Sequence, residues 1–264
     1  MVPWEYRQRF GEVTEFAIEG HGLSVILEAA SRNKRMRGEH MARGGDMTIT
    51  TILCDLDGTL VDSRHDIAVA FQHAWRTVVG HTPPGTVAIA QHIGKPLAEM
   101  LSELGGRLSS RRLSTFLTTY RHMYARQDAR LTQLYPGVIA TLQALSSYTF
   151  GLITTKEPGQ AQIVLQRLAL THFFQHIQGG TPGLRLKPAP DTILVTLAAL
   201  HCAPAHALMV GDTPADILAG KAAGTTTCAV TYGFGGREAL MQCAPDYVID
   251  TFGELVPLVR ASAG

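Results

Sequence analysis

A pair of carboxylates in the tripeptide Asp55-Leu56-Asp57 is the feature of this 264-residue sequence best suited to chemistry. The pair directly follows residues 50–54, a β-branched and apolar run typical of a buried strand. Side chains at i and i+2 leave a strand end on the same side, and Gly58 lets the backbone turn sharply there. Two like charges this close are costly without a cation, so the pattern indicates a site for a hard metal such as Mg²⁺.

A second acidic turn follows the apolar run 207–210, with Asp212 at the predicted strand end and Asp216 one helical turn later. Either acidic turn alone would be equally compatible with a helix N-cap or an ordinary turn carboxylate. Two such turns, each directly after an apolar strand, favour a shared site, because ligands of open α/β sheets bind outside the carboxyl ends of the strands.

Thr154 and Lys187 gain significance from their place in the order of these motifs. Thr154 ends the apolar run 150–154, and Lys187 begins a Lys-Pro dipeptide before a helix predicted at 191–200. Alone, the lysine would be interpreted as a surface residue and the threonine as a strand residue. Their positions between the two acidic turns make both residues candidates for the same site.

The elements that must position these residues alternate between strand and helix from residue 48 onward. Predicted strands cover 50–54, 150–154, 207–210, 225–230 and 247–249, and predicted helices between them cover 160–168, 191–200 and 214–223. This alternation predicts an α/β fold with a doubly wound, Rossmann-like parallel sheet that is covered on both faces.

A long helical stretch between the first two strands interrupts this alternation. Since a plain crossover needs only about a dozen residues, we predict that 63–134 forms an inserted α-helical cap and that 47–62 and 135–264 form the α/β core. The cap carries nine basic and four acidic residues, whereas the core carries seven and eleven. We interpret 1–46 as a flexible extension, and its seven basic and seven acidic residues argue against a basic arm.

The order of the motifs resembles that of the haloacid dehalogenase-like hydrolases, in particular the subgroup with a helical cap that includes phosphoglycolate phosphatase. The resemblance covers residues 48–255. It implies that Asp55 is the nucleophile that forms an aspartyl-phosphate and that Asp57 is the general acid and base. It further implies that Thr154 and Lys187 hold the phosphoryl oxygens.

The same resemblance implies a Mg²⁺ cofactor, bound by Asp55, by Asp57 through its backbone carbonyl, and by Asp212, with Asp216 supporting the metal site. Thr155 stands where this subgroup usually has asparagine, which affects contacts to the leaving group or the cap rather than the hydroxyl of the preceding residue.

Three residues are predicted to bind substrate: Gly58, Thr155 and Lys95. Lys95 lies in the predicted cap, where it could reach a carboxylate or sugar of the substrate. A solvated loop lysine is the alternative interpretation of the same residue.

The predicted function is therefore Mg²⁺-dependent hydrolysis of a small phosphate monoester, with phosphoglycolate as the leading substrate. A phosphomutase or a pyrophosphatase of similar architecture is an alternative, and a non-catalytic phospho-aspartate signalling or binding module is a more distant one. A 2-haloacid dehalogenase is disfavoured because its chemistry does not use the second aspartate, present here as Asp57.

Composition argues against other classes of protein. Lys and Arg total 23 and Asp and Glu total 22, so the net charge of +1 offers no excess for binding nucleic acid or a membrane surface. The four cysteines lack the spacing of a zinc or redox pair. His172 and His176 lack the glutamate of a zinc-protease motif and are predicted to flank a short helix end. Since the sequence shows no signal-peptide pattern, we predict a cytoplasmic protein. Its predicted partner, from the predicted phosphatase function, is a small phosphorylated metabolite.

Overall fold

A six-stranded parallel sheet forms the centre of the structure, a computed structural model that describes residues 48–262. The strands are β1 (Thr51–Cys54), β2 (Val61–Asp62), β3 (Gln133–Leu134), β4 (Thr149–Ile153), β5 (His176–Gln178), β6 (Ala207–Gly211), β7 (Thr226–Val230) and β8 (Tyr247–Ile249). The order in the sheet is β5-β4-β1-β6-β7-β8, and β2 pairs with β3 separately. The first strand of the chain therefore lies between β4 and β6.

Ten α-helices accompany the strands within the described residues. They are α1 (Arg64–Ala74), α2 (Thr86–Ala90), α3 (Leu97–Glu103), α4 (Ser110–Gln127), α5 (Val138–Ala144), α6 (Pro158–Arg167), α7 (Asp191–Ala199), α8 (Pro214–Ala223), α9 (Arg237–Gln242) and α10 (Leu255–Ala261). Among them, none is both long enough and apolar enough to cross a membrane.

The alternation of side chains along β1 divides the core into two layers. Ile52 and Cys54 join the apolar cluster that contains residues of α5, α6 and α10. Leu53 joins a second cluster with residues of α7 and α8. Because successive strand side chains point to opposite faces, helices cover both faces of the sheet. The predicted α/β fold is confirmed.

The segment between β2 and β3 is helical and packs as a unit on the sheet's first apolar cluster. The two short strands pair antiparallel, with Val61 opposite Leu134, so the chain leaves and returns at one place. Inside the segment, α1 packs against α4, where the rings of Phe71 and Phe116 meet edge to face at 5.3 Å. This segment is the inserted cap of the predicted fold, and the exact domain boundaries stay a prediction.

The structure places His176 differently from the prediction. His176 does not flank a helix end but begins β5, an edge strand, while His172 lies in a short 3-10 turn at Thr171–Phe173. A three-residue strand is too short to show the alternation on which strand prediction depends. The predicted flexible extension 1–46 lies outside the described residues.

Candidate active site

Three adjacent strands bring the predicted site residues to one edge of the sheet. Asp55 directly follows β1, Thr154 follows β4 and Asp212 follows β6, and β1 pairs with both of the other strands. All three strands are parallel, so their carboxyl ends lie at the same edge. These three residues are buried, at 6, 2 and 0% exposure.

Lys187 is buried at the centre of this edge. Its Nζ donates to Oδ1 of Asp55 at 2.6 Å, to Oδ1 of Asp216 at 2.5 Å and to the carbonyl of Ile153 at 3.0 Å. A lysine ammonium has three N–H groups, so each has an acceptor. Burial lowers the pKa of Lys187, but the charges of Asp216 and Asp55 outweigh it and raise the pKa above its ordinary value. The lysine is thus held as a cation.

Three carboxylates, those of Asp55, Asp212 and Asp216, form a cluster whose ligand atoms lie within 4.8 Å of one another. Burial raises the pKa of Asp55 well above its ordinary value, Lys187 opposes the shift, and the charges of Asp216 and Asp212 add to it. When all three are ionised, one lysine leaves about two negative charges uncompensated. A buried set of carboxylate oxygens with this charge fits a hard divalent cation such as Mg²⁺.

Asp212 is held rigidly within the cluster. Its Oδ1 accepts from the hydroxyl of Thr59 at 3.0 Å, and its Oδ2 accepts from the backbone N–H of Phe234 at 2.7 Å. Burial, followed by the charge of Asp216, raises the pKa of Asp212 to about 7. Gly58 has φ +100°, and a Cβ there would lie 2.1 Å from Oδ2 of Asp212. Glycine is needed at this turn because the carboxylate occupies the space of a side chain.

Asp216 combines a structural contact with its place in the cluster. Its Oδ2 accepts from the backbone N–H of Thr213 at 3.0 Å, as part of the capping box of α8, and also from the Thr213 hydroxyl at 2.6 Å. Its Oδ1 accepts from Lys187. The sequence assigned Asp216 only a supporting role, whereas the structure places its carboxylate among the three that lie together.

Asp57 lies beside the cluster and has different partners. Its Oδ1 accepts from the hydroxyl of Ser63 at 2.5 Å and lies 3.2 Å from Nζ of Lys156. The side chain of Asp57 is not one of the three clustered carboxylates. A carboxylate with one oxygen anchored has the other oxygen available for proton exchange.

A cavity of about 350 Å³ lies between the helical segment and the sheet edge, with Asp57 in its wall. Thr155 and Lys95, two of the predicted substrate-binding residues, line it, whereas the third, Gly58, lies against Asp212 instead. Both carboxylate oxygens of Glu103 accept from Lys95, at 2.7 and 2.6 Å. A substrate would therefore compete with this glutamate for the lysine.

Sequence reasoning missed Lys156, Ser63 and Tyr124. Lys156 is 8% exposed, and its Nζ donates to the hydroxyl of Tyr124 at 3.1 Å. The available signal was the position of Lys156, two residues after the strand end that carries Thr154. A polar residue so close to the carboxyl end of a central strand lies near the place where ligands of α/β sheets bind.

Comparison with known proteins supports the same family. The family model for haloacid dehalogenase-like hydrolases matches residues 52–230. The chain is 34% identical over 220 residues to pyrophosphatase PpaX of Halalkalibacterium halodurans, a match that covers 82% of this chain and 100% of that protein. It is 32% identical over 225 residues to phosphoglycolate phosphatase of Vibrio cholerae, which covers 82% of this chain and 99% of that protein.

Solved structures resemble the fold over most of this chain. A haloacid dehalogenase-like family hydrolase from Streptococcus pneumoniae is 33% identical with a TM-score of 0.72, and the match covers 80% of this chain and 98% of that one. A protein from Haemophilus somnus, described as a predicted phosphoglycolate phosphatase, is 26% identical with a TM-score of 0.73, and the match covers 80% and 97%. The chain belongs to the haloacid dehalogenase-like hydrolase family and is an enzyme of that family, as its motifs predicted.

Proposed function

We propose that this enzyme is a Mg²⁺-dependent phosphatase that hydrolyses a small phosphate monoester through an aspartyl-phosphate on Asp55. One observation carries the proposal. Oδ1 of Asp55 is held by Lys187 at 2.6 Å, while Oδ2 receives no hydrogen bond from the described residues. One oxygen of a fixed carboxylate is thus left for in-line attack on phosphorus, which requires positioning more than any other chemistry.

The phosphoryl group would be held by groups that donate hydrogen bonds. The hydroxyl of Thr154 accepts from the backbone N–H of Lys156 at 3.2 Å, so its own proton is free to donate to a phosphoryl oxygen. Lys187 adds a positive charge directly beside Asp55. Together these groups offset the repulsion between the attacking carboxylate and the incoming phosphate.

Asp57 would transfer the protons of both steps. In the first step it protonates the oxygen of the leaving alcohol as the bond from phosphorus to that oxygen breaks and the bond to Oδ2 of Asp55 forms. In the second step it takes a proton from the water that attacks the aspartyl-phosphate, which releases inorganic phosphate and restores Asp55. Its place in the wall of the cavity, where the leaving group would bind, supports this role.

The metal site would consist of the carboxylates of Asp55 and Asp212 with the backbone carbonyl of Asp57, and Asp216 would support it beside Lys187. When bound, Mg²⁺ would supply the charge that lets the clustered carboxylates remain ionised next to a phosphate. Burial raises the pKa values of Asp55 and Asp212, and the charges of the neighbouring carboxylates add to the shift, so a bound cation would stabilise their ionised forms.

Phosphoglycolate is the leading substrate, and pyrophosphate is the second. Both choices rest on relatives that cover more than four fifths of this chain, one called phosphoglycolate phosphatase and the other pyrophosphatase. Thr155 and Lys95, which line the cavity, would contact the leaving group of the substrate. We propose that the substrate is a small cytoplasmic metabolite.

Phosphate release from phosphoglycolate, pyrophosphate, sugar phosphates and 4-nitrophenyl phosphate tests the proposal, with Mg²⁺ and with excess chelator. We expect D55N to lose at least about 10³-fold in kcat, because the amide is not a nucleophile. D128N is the matched control, since Asp128 is exposed and has the left-handed conformation that asparagine tolerates. Turnover by D55N at the native rate, or full turnover in chelator, would contradict the mechanism.

A further inference from the structure

Lys156 is a buried lysine whose side chain belongs to none of the predicted motifs. Its Nζ lies 3.2 Å from Oδ1 of Asp57, 3.1 Å from the hydroxyl of Tyr124 and 4.4 Å from the centre of the Tyr124 ring. An ammonium group is costly to bury unless it is paired and hydrogen-bonded. These contacts are what retain the lysine beside Asp57.

We propose that Lys156 is a positioning residue for Asp57 and that Tyr124 keeps Lys156 in place. The inference rests on the proposed role of Asp57 in proton transfer. Ser63 donates a hydrogen bond to Oδ1 of Asp57, Lys156 forms an ion pair with the same oxygen, and no described residue donates to Oδ2. A hydrogen bond and an ion pair on one oxygen restrict rotation of the carboxylate, so that Oδ2 is presented in a constant direction to the leaving group and to water.

The backbone places Lys156 where this contact is possible. Lys156 lies three residues beyond β4, the direct neighbour of β1 in the sheet, and Asp57 lies three residues beyond β1. The backbone N–H of Lys156 donates to the hydroxyl of Thr154 at 3.2 Å. One residue therefore contacts the phosphate-binding threonine through its backbone and the acid and base through its side chain.

Tyr124 extends the arrangement into the helical cap. It lies on α4, is fully buried and stacks on Tyr120 with ring centres 5.9 Å apart. Ser63, the hydrogen-bond donor to Asp57, immediately precedes α1, and α1 packs against α4. Both partners of Asp57 thus depend on the cap, so the position of the cap and the orientation of the acid and base are linked.

The test is K156M, which keeps the length of the side chain and removes its charge, together with Y124F, which removes one hydroxyl. For an alkyl phosphate that the enzyme accepts, we expect K156M to lower kcat about 10- to 100-fold and to change KM less than about 3-fold. Y124F should act in the same direction and lose about 3- to 10-fold. K221M, which removes an exposed lysine on α8, is the matched control and should keep native kinetics.

Two further readouts separate positioning from substrate binding. First-turnover release of nitrophenolate needs no proton from Asp57, so K156M should keep its rate within about 3-fold. In a D57N background, K156M should add less than about 2-fold to the loss, because both changes act through one carboxylate.

A rise in KM with unchanged kcat, or losses in kcat that multiply in the double variant, would overturn the inference and assign Lys156 to substrate binding instead. If K156M does not fold, Y124F decides, and native kinetics in Y124F would contradict the role of Tyr124. Failure of the native protein to release phosphate from any ester would instead refute the proposed function.

Discussion

Replacing Lys187 with methionine tests how much the buried cation contributes to both the fold and the site. The side chain of Lys187 is 3% exposed, and its three N–H groups bind two carboxylates and one carbonyl. In K187M the carboxylates of Asp55 and Asp216 lose their only buried cationic partner among the described residues. The variant therefore leaves uncompensated charge inside the protein.

The expected magnitude follows from the burial of the pair. Breaking a buried ion pair by removing one partner costs about 3–5 kcal/mol in the free energy of unfolding. For a protein of this size each kcal/mol corresponds to about 2–4 °C, so K187M should melt roughly 6–20 °C below the native protein in metal-free buffer. Loss of the positive charge beside Asp55 should also lower kcat by at least about 10²-fold.

The cost should depend on pH in a defined direction. Lys187 opposes the raised pKa values of Asp55 and Asp212, so without the lysine these two pKa values lie even further above those of the unfolded state. The folded variant then binds more protons than the unfolded one, so its stability falls as the pH rises. The difference in melting temperature between native protein and K187M should be larger at pH 8 than at pH 5.

The assay is thermal and urea unfolding in excess chelator, followed by circular dichroism, with K221M as the lysine-to-methionine control. Lys221 is exposed, so its variant should stay within about 0.5 kcal/mol of the native protein. A K187M melting temperature within about 2 °C of native at pH 8, or a difference that shrinks with rising pH, would refute the reasoning.

Three further changes test other parts of the structure. G58A should lower the free energy of unfolding by at least about 1 kcal/mol and kcat by at least about 10-fold, because residue 58 has φ +100° and its new Cβ would collide with Asp212. Urea unfolding measures the stability of this variant and of the control G159A, which has open space around the added Cβ. In chelator, the native protein should lose stability relative to D212N as the pH rises from 4 to 7, because the raised pKa of Asp212 makes the folded state bind one proton more than the unfolded state. A gain in relative stability would contradict the raised pKa of Asp212, and added Mg²⁺ should remove the trend. A chain that begins at Met47 should fold and keep its activity, because two relatives align over 99% and 100% of their own length with only 82% of this chain. Insoluble or unfolded protein would contradict this expectation.

The sequence was sufficient for the fold class and for the order of the motifs. Buried strands followed by aspartates can be recognised locally, since apolar runs and turn residues are properties of neighbouring positions. The inserted helical segment was also predictable, because the stretch between the first two predicted strands is much longer than a plain crossover needs. The three-residue strand β5 was missed, since it is too short to show a pattern.

The contacts of the two buried lysines, Lys187 and Lys156, were decided only by the tertiary structure. Lys187 and Asp55 are 132 residues apart in the chain, and Tyr124 and Lys156 are 32 residues apart. Which buried lysine pairs with which carboxylate depends on the order of the strands and on the packing of the cap, and neither is a property of local sequence. The residue types thus determined which chemistry is possible, and the adjacency of β4, β1 and β6 determined which side chains meet to perform it.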